Sequence, residues 1–188
     1  MPMQSVDEAA AMIEQMLDAM MTSEDSYNVA TLKKSFCFLT HCERDGVVWR
    51  GGWRSVSDRP KRARRAMVRF RLKVAPHMAN PFGTMHGGCT ATIADTLSSF
   101  ALLLHCSGEP HEPWTTMGMS QTLSVQYAAP LSIGTWIEVE ARTMSVGRAA
   151  ALLHIDFFAL DSRDGKRVTH AATATHTKID VSKPHAKL

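Results

Sequence analysis

The residues best suited to chemistry lie between Asn80 and Asp95. The loop from Asn80 to Gly88 reads Asn-Pro-Phe-Gly-Thr-Met-His-Gly-Gly, and an apolar, helix-compatible run from Cys89 to Leu104 follows it. Small residues at a helix start let another group approach the backbone. The unpaired N–H groups and positive dipole end there suit a carbonyl oxygen that is becoming negative. Asp95 is the lone acid within that apolar run, which makes it a candidate base or nucleophile. An oxyanion-binding turn with a nearby carboxylate points to acyl chemistry. There is no serine nucleophile elbow and no metal-ligand spacing, so the commoner hydrolytic designs are not indicated and no metal is expected.

The elements that must position these residues follow from periodicity. Asp7 to Met21 places Ala9, Ala10, Met12, Ile13, Met16, Leu17 and Met20 at helical spacing. Ser35–Cys42 is a candidate strand with Asp45-Gly46 as its turn, and Val47–Val56 is a weaker one interrupted by Gly51-Gly52. From Met67 to Val74, Val68, Phe70, Leu72 and Val74 alternate with Arg69, Arg71 and Lys73, predicting one buried and one wet face. A helix is expected from about Gly88 to Cys106. Strands are expected over Thr116–Tyr127, Thr135–Met144, Ala149–Leu160 and Val168–Ile179. Strands enclosing one long helix make an α+β class. The helix face formed by Ile93, Leu97, Phe100, Ala101 and Leu104 is core, and a part of it is a candidate acyl tunnel.

With 188 residues, 45% of them hydrophobic and 21% charged, the chain suits one globular domain with an added terminal element. No apolar run approaches a membrane span. Cys37, Cys42, Cys89 and Cys106 lack CxxC spacing and read as reduced thiols. The N-terminus carries Asp7, Glu8, Glu14, Asp18, Glu24 and Asp25 with no Lys or Arg before Lys33, unlike a signal or transit peptide. The expected location is intracellular, cytoplasmic before mitochondrial. The net charge of +3 hides a basic stretch, Arg59-Pro-Lys-Arg-Ala-Arg-Arg65 followed by Arg69, Arg71 and Lys73. Such a stretch is either a solvated loop or an attractor for nucleic acid, an anionic membrane or a phosphorylated small molecule.

Together the loop, the acid and the order of elements resemble the hotdog-fold acyl-CoA thioesterases, within the PaaI-like branch that includes thioesterase superfamily member two. Asn80, Gly83, His86, Gly87, Gly88 and Asp95 stand at that family's spacing, and the Tyr127-Ala-Ala-Pro130 step matches later. The resemblance implies an antiparallel sheet wrapped around one long central helix over residues 31–182. Residues 1–30 would be an acidic helical extension and residues 183–188 a tail. It also implies that the Gly87 N–H and Asn80 polarise a thioester carbonyl, that Asp95 activates water or attacks, that Ser120 positions the water or the acid, and that His86 orders the loop. Coenzyme A, part of substrate and product rather than a cofactor, would lie along Gly88, Tyr127, Ala128, Ala129, Pro130, Leu131 and Ser132. It would also touch Val146, Gly147, Arg148 and Ala149, with Arg148 on a phosphate.

One inference about assembly needs no family. Asp95 follows Gly87 by eight residues, about 12 Å along one helix, so a short Asp side chain does not serve a carbonyl held at its own helix start. If both act on one substrate, Asp95 comes from a neighbouring subunit, at a site used twice per two-fold dimer. A homodimer or a dimer-of-dimers homotetramer is expected. The rival within the fold, a hydratase or dehydratase, pairs its acid with a catalytic His differently. The rival from another class is a non-catalytic acyl-CoA sensor or a nucleic-acid-binding hotdog protein using residues 59–73. The thin aromatic interleaving there disfavours nucleic acid.

Overall fold

The computed structural model describes residues 6–22, 31–32, 35–48, 65–105, 114 and 116–181. The expected strand beyond Val48, the basic run 59–64, the loop 106–113 and the tail 183–188 lie outside the described residues. Helix α1 (Val6–Thr22) opens with Asp7 and Glu8, whose charges suit the positive end of its dipole. Val6, Ala9, Ala10, Ile13 and Leu17 form its buried face, and it packs on β1. Helix α2 (Gly87–Leu103) is buried on almost every side from Thr90 onward.

The strands are β1 (Phe38–Arg44), β2 (Val47–Val48), β3 (Ala66–Lys73), β4 (Met119–Tyr127), β5 (Trp136–Val146), β6 (Ala150–Leu160) and β7 (Arg167–Ile179). They form one antiparallel sheet in the order β2-β1-β3-β5-β6-β7-β4. Val68, Phe70 and Leu72 of β3, Ile137 and Val139 of β5, and Ile155 and Phe157 of β6 are fully buried with the α2 residues Ile93, Leu97 and Phe100. The rings of Phe70 and Phe100 lie 5.6 Å apart in a tilted pair, a geometry aromatic rings favour. The alternation read from the sequence thus turns one sheet face onto α2, giving the α+β hotdog arrangement.

The opposite face departs from the wet face expected of Arg69 and Arg71. Glu138 and Glu140 are buried, because neighbouring strands fold arginines over them. Arg69 donates to Glu140 (2.7 Å), Arg71 to Glu138 (2.9 Å), and Arg167 to both. Arg142 bridges Glu140 and Asp156. Burial alone would raise the Glu140 pKa, but the hydrogen bonds from Arg167 and Arg69 outweigh it and the pKa is lowered. The same period-two pattern that predicts solvation also places opposite charges across strands, and here the pairing closes the surface.

The segment between β3 and α2 is stitched down rather than loose. Pro76–Met78 makes a 3-10 turn, Ala79 bridges Met85, and Thr84 bridges Ser132. Gly83 turns at φ +76°, a conformation open to glycine. The N–H groups of Met85 and Ile133 bond to Leu131 and Gly83. This clamps the helix start against the segment after β4.

Candidate functional site

Two polar constellations lie on α2, at different turns. The first is the helix start. His86 is the N-cap, in extended conformation, and its Nδ1 accepts the Gly88 N–H at 2.9 Å. This satisfies one orphan donor and leaves the Gly87 N–H, which has no intrahelical acceptor at that position. The imidazole thus caps the first turn of α2. The Tyr127 hydroxyl donates to the Gly87 carbonyl at 2.8 Å. A Cβ on Gly87 would meet that hydroxyl at 3.2 Å, a tight contact that the tyrosine would have to relieve by a small shift.

A cavity of about 370 Å³ opens here, lined by Met85, Gly87, Thr90, Tyr127 to Leu131, Ala171 and Ala172. It joins the expected oxyanion donor to five of the expected coenzyme A residues, Tyr127 to Leu131. Asn80 stands in the same loop but is engaged locally. Its Oδ1 accepts from the N–H groups of Phe82 (2.9 Å) and Thr84 (3.3 Å), and its Nδ2 donates to Thr84 Oγ1 (2.9 Å). This Asx turn shapes the loop and leaves one Nδ2 hydrogen for another acceptor.

The second constellation surrounds Asp95, whose side chain is 39% exposed. Ser120, from the start of β4, donates its Oγ hydrogen to Asp95 Oδ1 at 2.5 Å. Two residues that the sequence reading missed complete the group. His176 of β7 is fully buried, with Nε2 3.2 Å from Asp95 Oδ1 and Nδ1 2.8 Å from Ser98 Oγ. Lys178, two residues along the strand, is 4% exposed and donates to Ser99 Oγ at 2.6 Å. Burial first, then the Lys178 charge, push the His176 pKa down to about 4, against the pull of Asp95. Burial also lowers Lys178. The signal was legible in the alternation: Ala172, Ala174, His176 and Lys178 share one strand face, so a His and a Lys occupy core positions.

The two constellations are far apart in one chain. In register, Tyr127 pairs with Ala172, and Ser120 pairs with Lys178. The intervening length of β4 is about 23 Å. The remaining expected coenzyme A segment divides the same way. Val146, Gly147, Arg148 and Ala149 turn between β5 and β6 at the Ser120 end, where Ala150 and Met119 both pair with Ile179. The Gly147 carbonyl accepts from Trp114 Nε1 at 2.7 Å, fixing that turn, and Arg148 is exposed. Among the described residues, no cluster of His, Cys, Asp and Glu is arranged to hold a metal ion. No helix among them is long and apolar enough to cross a membrane. Cys37 and Cys42 are buried free thiols, both pushed up to about 12 by burial, and Cys89 to about 11. None is poised as a nucleophile.

Comparison with known proteins fits this layout. Residues 82–166 match the family model of the thioesterase superfamily. Acyl-coenzyme A thioesterase 13 of Mus musculus is 32% identical over 107 residues, covering 57% of this chain and 68% of the relative. The crystal structure of zebrafish thioesterase superfamily member 2 superposes with a TM-score of 0.63 at 24% identity, over 90% of this chain and 96% of the other. The Mus musculus thioesterase superfamily member 2 structure gives 0.60 at 20% identity, with the same coverage.

Proposed function

The chain belongs to the thioesterase superfamily and is a thioester-hydrolysing enzyme, and from that premise we propose that it cleaves acyl-CoA to a free carboxylic acid and coenzyme A at sites shared by two copies. The observation that carries the reading is the separation of the two constellations. Tyr127 holds the Gly87 carbonyl and Ser120 holds Asp95, at opposite ends of β4. Among the described residues that strand is an edge, hydrogen-bonded on one side to β7. A second copy laid antiparallel along its free side, about a two-fold axis, sets the Tyr127 end of one chain beside the Ser120 end of the other. Each of two sites then joins a carbonyl cradle from one chain to a carboxylate from its partner.

The chemistry follows from these parts. A thioester has little resonance protection and a good leaving group, so its hydrolysis needs an oxyanion donor and an activated oxygen nucleophile more than a strong acid. The Gly87 N–H, at the positive end of α2 and assisted by Asn80, stabilises the developing oxyanion. Asp95 either takes the proton from the attacking water or attacks the carbonyl carbon itself. Collapse of the tetrahedral intermediate expels the coenzyme A thiolate. It leaves the free acid when water attacked, or a mixed anhydride on Asp95 that water then hydrolyses to the acid and the free carboxylate. The coenzyme lies along Tyr127 to Ser132 of one chain and the Val146–Ala149 turn of the other, where exposed Arg148 meets a phosphate. The acyl-CoA name of the similar mouse protein supports this substrate class.

The test is thiol release from a panel of acyl-CoAs. Asp95→Asn should lower kcat by more than about 100-fold, in line with losing an essential charged group; equal rates in variant and parent would remove Asp95 from the mechanism. Sharing is tested by mixing subunits. Asp95→Asn and Gly87→Ala chains, each impaired about 10-fold or more alone, should recover about a quarter of parental activity when exchanged, because half the dimers then carry one intact site of two. Absence of recovery despite demonstrated exchange would place each site within a single chain.

A further inference from the structure

The strongest feature outside the expected site residues is the buried pair on β7, and above all one nitrogen. His176 Nε2 is buried, lies 3.2 Å from Asp95 Oδ1 without making a hydrogen bond to it, and has no hydrogen-bond partner among the described residues. Burying such a group is costly unless it has work at the site. The carboxylate beside it is 39% exposed and held at Oδ1 by Ser120.

The proton position follows from the neighbours. Ser99 Oγ donates to the Asp95 carbonyl at 2.8 Å and accepts from Lys178. That carbonyl therefore has a donor without Ser98, whose Oγ is 3.3 Å from it but only 2.8 Å from His176 Nδ1. If Nδ1 carried the proton, Nε2 would present a lone pair to a carboxylate oxygen, which is repulsive. Ser98 therefore donates to Nδ1, and the neutral ring carries its proton on Nε2, facing Asp95. The other charged group facing the ring is Lys178, on the same strand. The residues beside it in register, Leu153 of β6 and Leu123 of β4, are apolar.

We propose that His176 is a positioning residue which, with Ser120, holds Oδ1 of Asp95 from two sides and so assigns Oδ2 as the oxygen that meets water or the thioester carbon. Ser120 already donates to Oδ1. A small rotation of Asp95 aligns Oδ1 with Nε2–H as well. Among the described residues, Oδ2 accepts no hydrogen bond and is left for chemistry. Ser98 acts through His176 by fixing its tautomer, as the partner of a catalytic imidazole does elsewhere. The assignment rests on the proposed hydrolysis, because it names the reacting atom of that reaction.

The experiment pairs kinetics with nitrogen NMR of the full chain. His176→Leu should lower kcat by about 10–100-fold, the scale of an Å-sized misplacement, with KM for acyl-CoA changed less than about two-fold. His176→Gln, which restores an N–H at similar reach, should recover part of the loss. The ¹⁵N spectrum should show a neutral ring protonated on Nε2 near pH 7. It should change to a mixture of tautomers in Ser98→Ala. A Leu variant within about two-fold of parental kcat, a Gln variant no better than Leu, or a proton on Nδ1 would each overturn the proposal. A parent that releases no thiol from any acyl-CoA would instead refute the hydrolysis, and the nitrogen spectrum would then decide the tautomer alone.

Discussion

The fully buried His176 ring makes acid a selective probe of the fold. Its pKa is displaced from an ordinary 6.5 to about 4, by burial first and by Lys178 second. The unfolded chain binds a proton on this residue at a pH where the folded chain does not. Stability therefore falls as pH drops from about 6.5 towards 4. At pH 5 the unfolded imidazole is almost fully protonated and the folded one mostly neutral, which makes the loss relative to pH 7.5 about 2 kcal/mol. For a chain of this size that is about 4–8 °C in Tm. Glu140 and Asp156, whose pKa values are lowered from 4.5 and 3.8, give up their contributions below this window, so the interval from pH 7.5 to 5 belongs to histidine. The assay is urea unfolding of the parent and His176→Leu at both pH values and one protein concentration. The other histidines are common to both proteins and cancel in the difference. The parent should lose about 2 kcal/mol more than the variant. Equal losses would refute a neutral, buried His176, and with it the electrostatic picture of the Asp95 surroundings.

Two further outcomes follow from the close approaches. Gly87→Ala sets a methyl group 3.2–3.3 Å from the Tyr127 hydroxyl and ring; unfolding free energy should move by less than about 1 kcal/mol, since a helix-favouring Ala offsets a strained exposed hydrogen bond. Thiol release should nevertheless fall by about 10-fold or more, as the carbonyl cradle is displaced. Gly118→Ala is the opposite case. Its φ of +65° and a Cβ only 2.6 Å from the Ile179 carbonyl and 2.7 Å from the Trp114 ring should cost about 3 kcal/mol or more in the same urea assay.

Much of the fold was legible because burial and period coincide. The β3 alternation from Val68 to Val74 and the apolar α2 face yield their partners once one face must be covered. The loop motif was legible because its glycines have backbone reasons: Gly83 for a positive φ, Gly87 for the approach of Tyr127. Solvation was not legible for Glu138 and Glu140. Whether a charged strand face is wet depends on which strands lie beside it, and β3, β5 and β7 converge there from distant parts of the chain. His176 and Lys178 were missed for a related reason. A polar residue in a strand reads as surface until the register shows it facing a helix, and Ser98 and Ser99 lie nearly eighty residues away.

The edge strand β4 has a consequence for the protein's life in a crowded solution. From Met119 to Tyr127 it contains no charged residue and no proline, and no register-breaking lysine faces outward. Exposed edges normally carry such features to prevent sticking to other sheets. In the proposed shared-site assembly, the safeguard is a second copy laid along the strand, which would make assembly a form of protection. Lone subunits would recruit any passing strand, so weakening the dimer should shorten the protein's soluble lifetime before it yields a tidy population of inactive monomers.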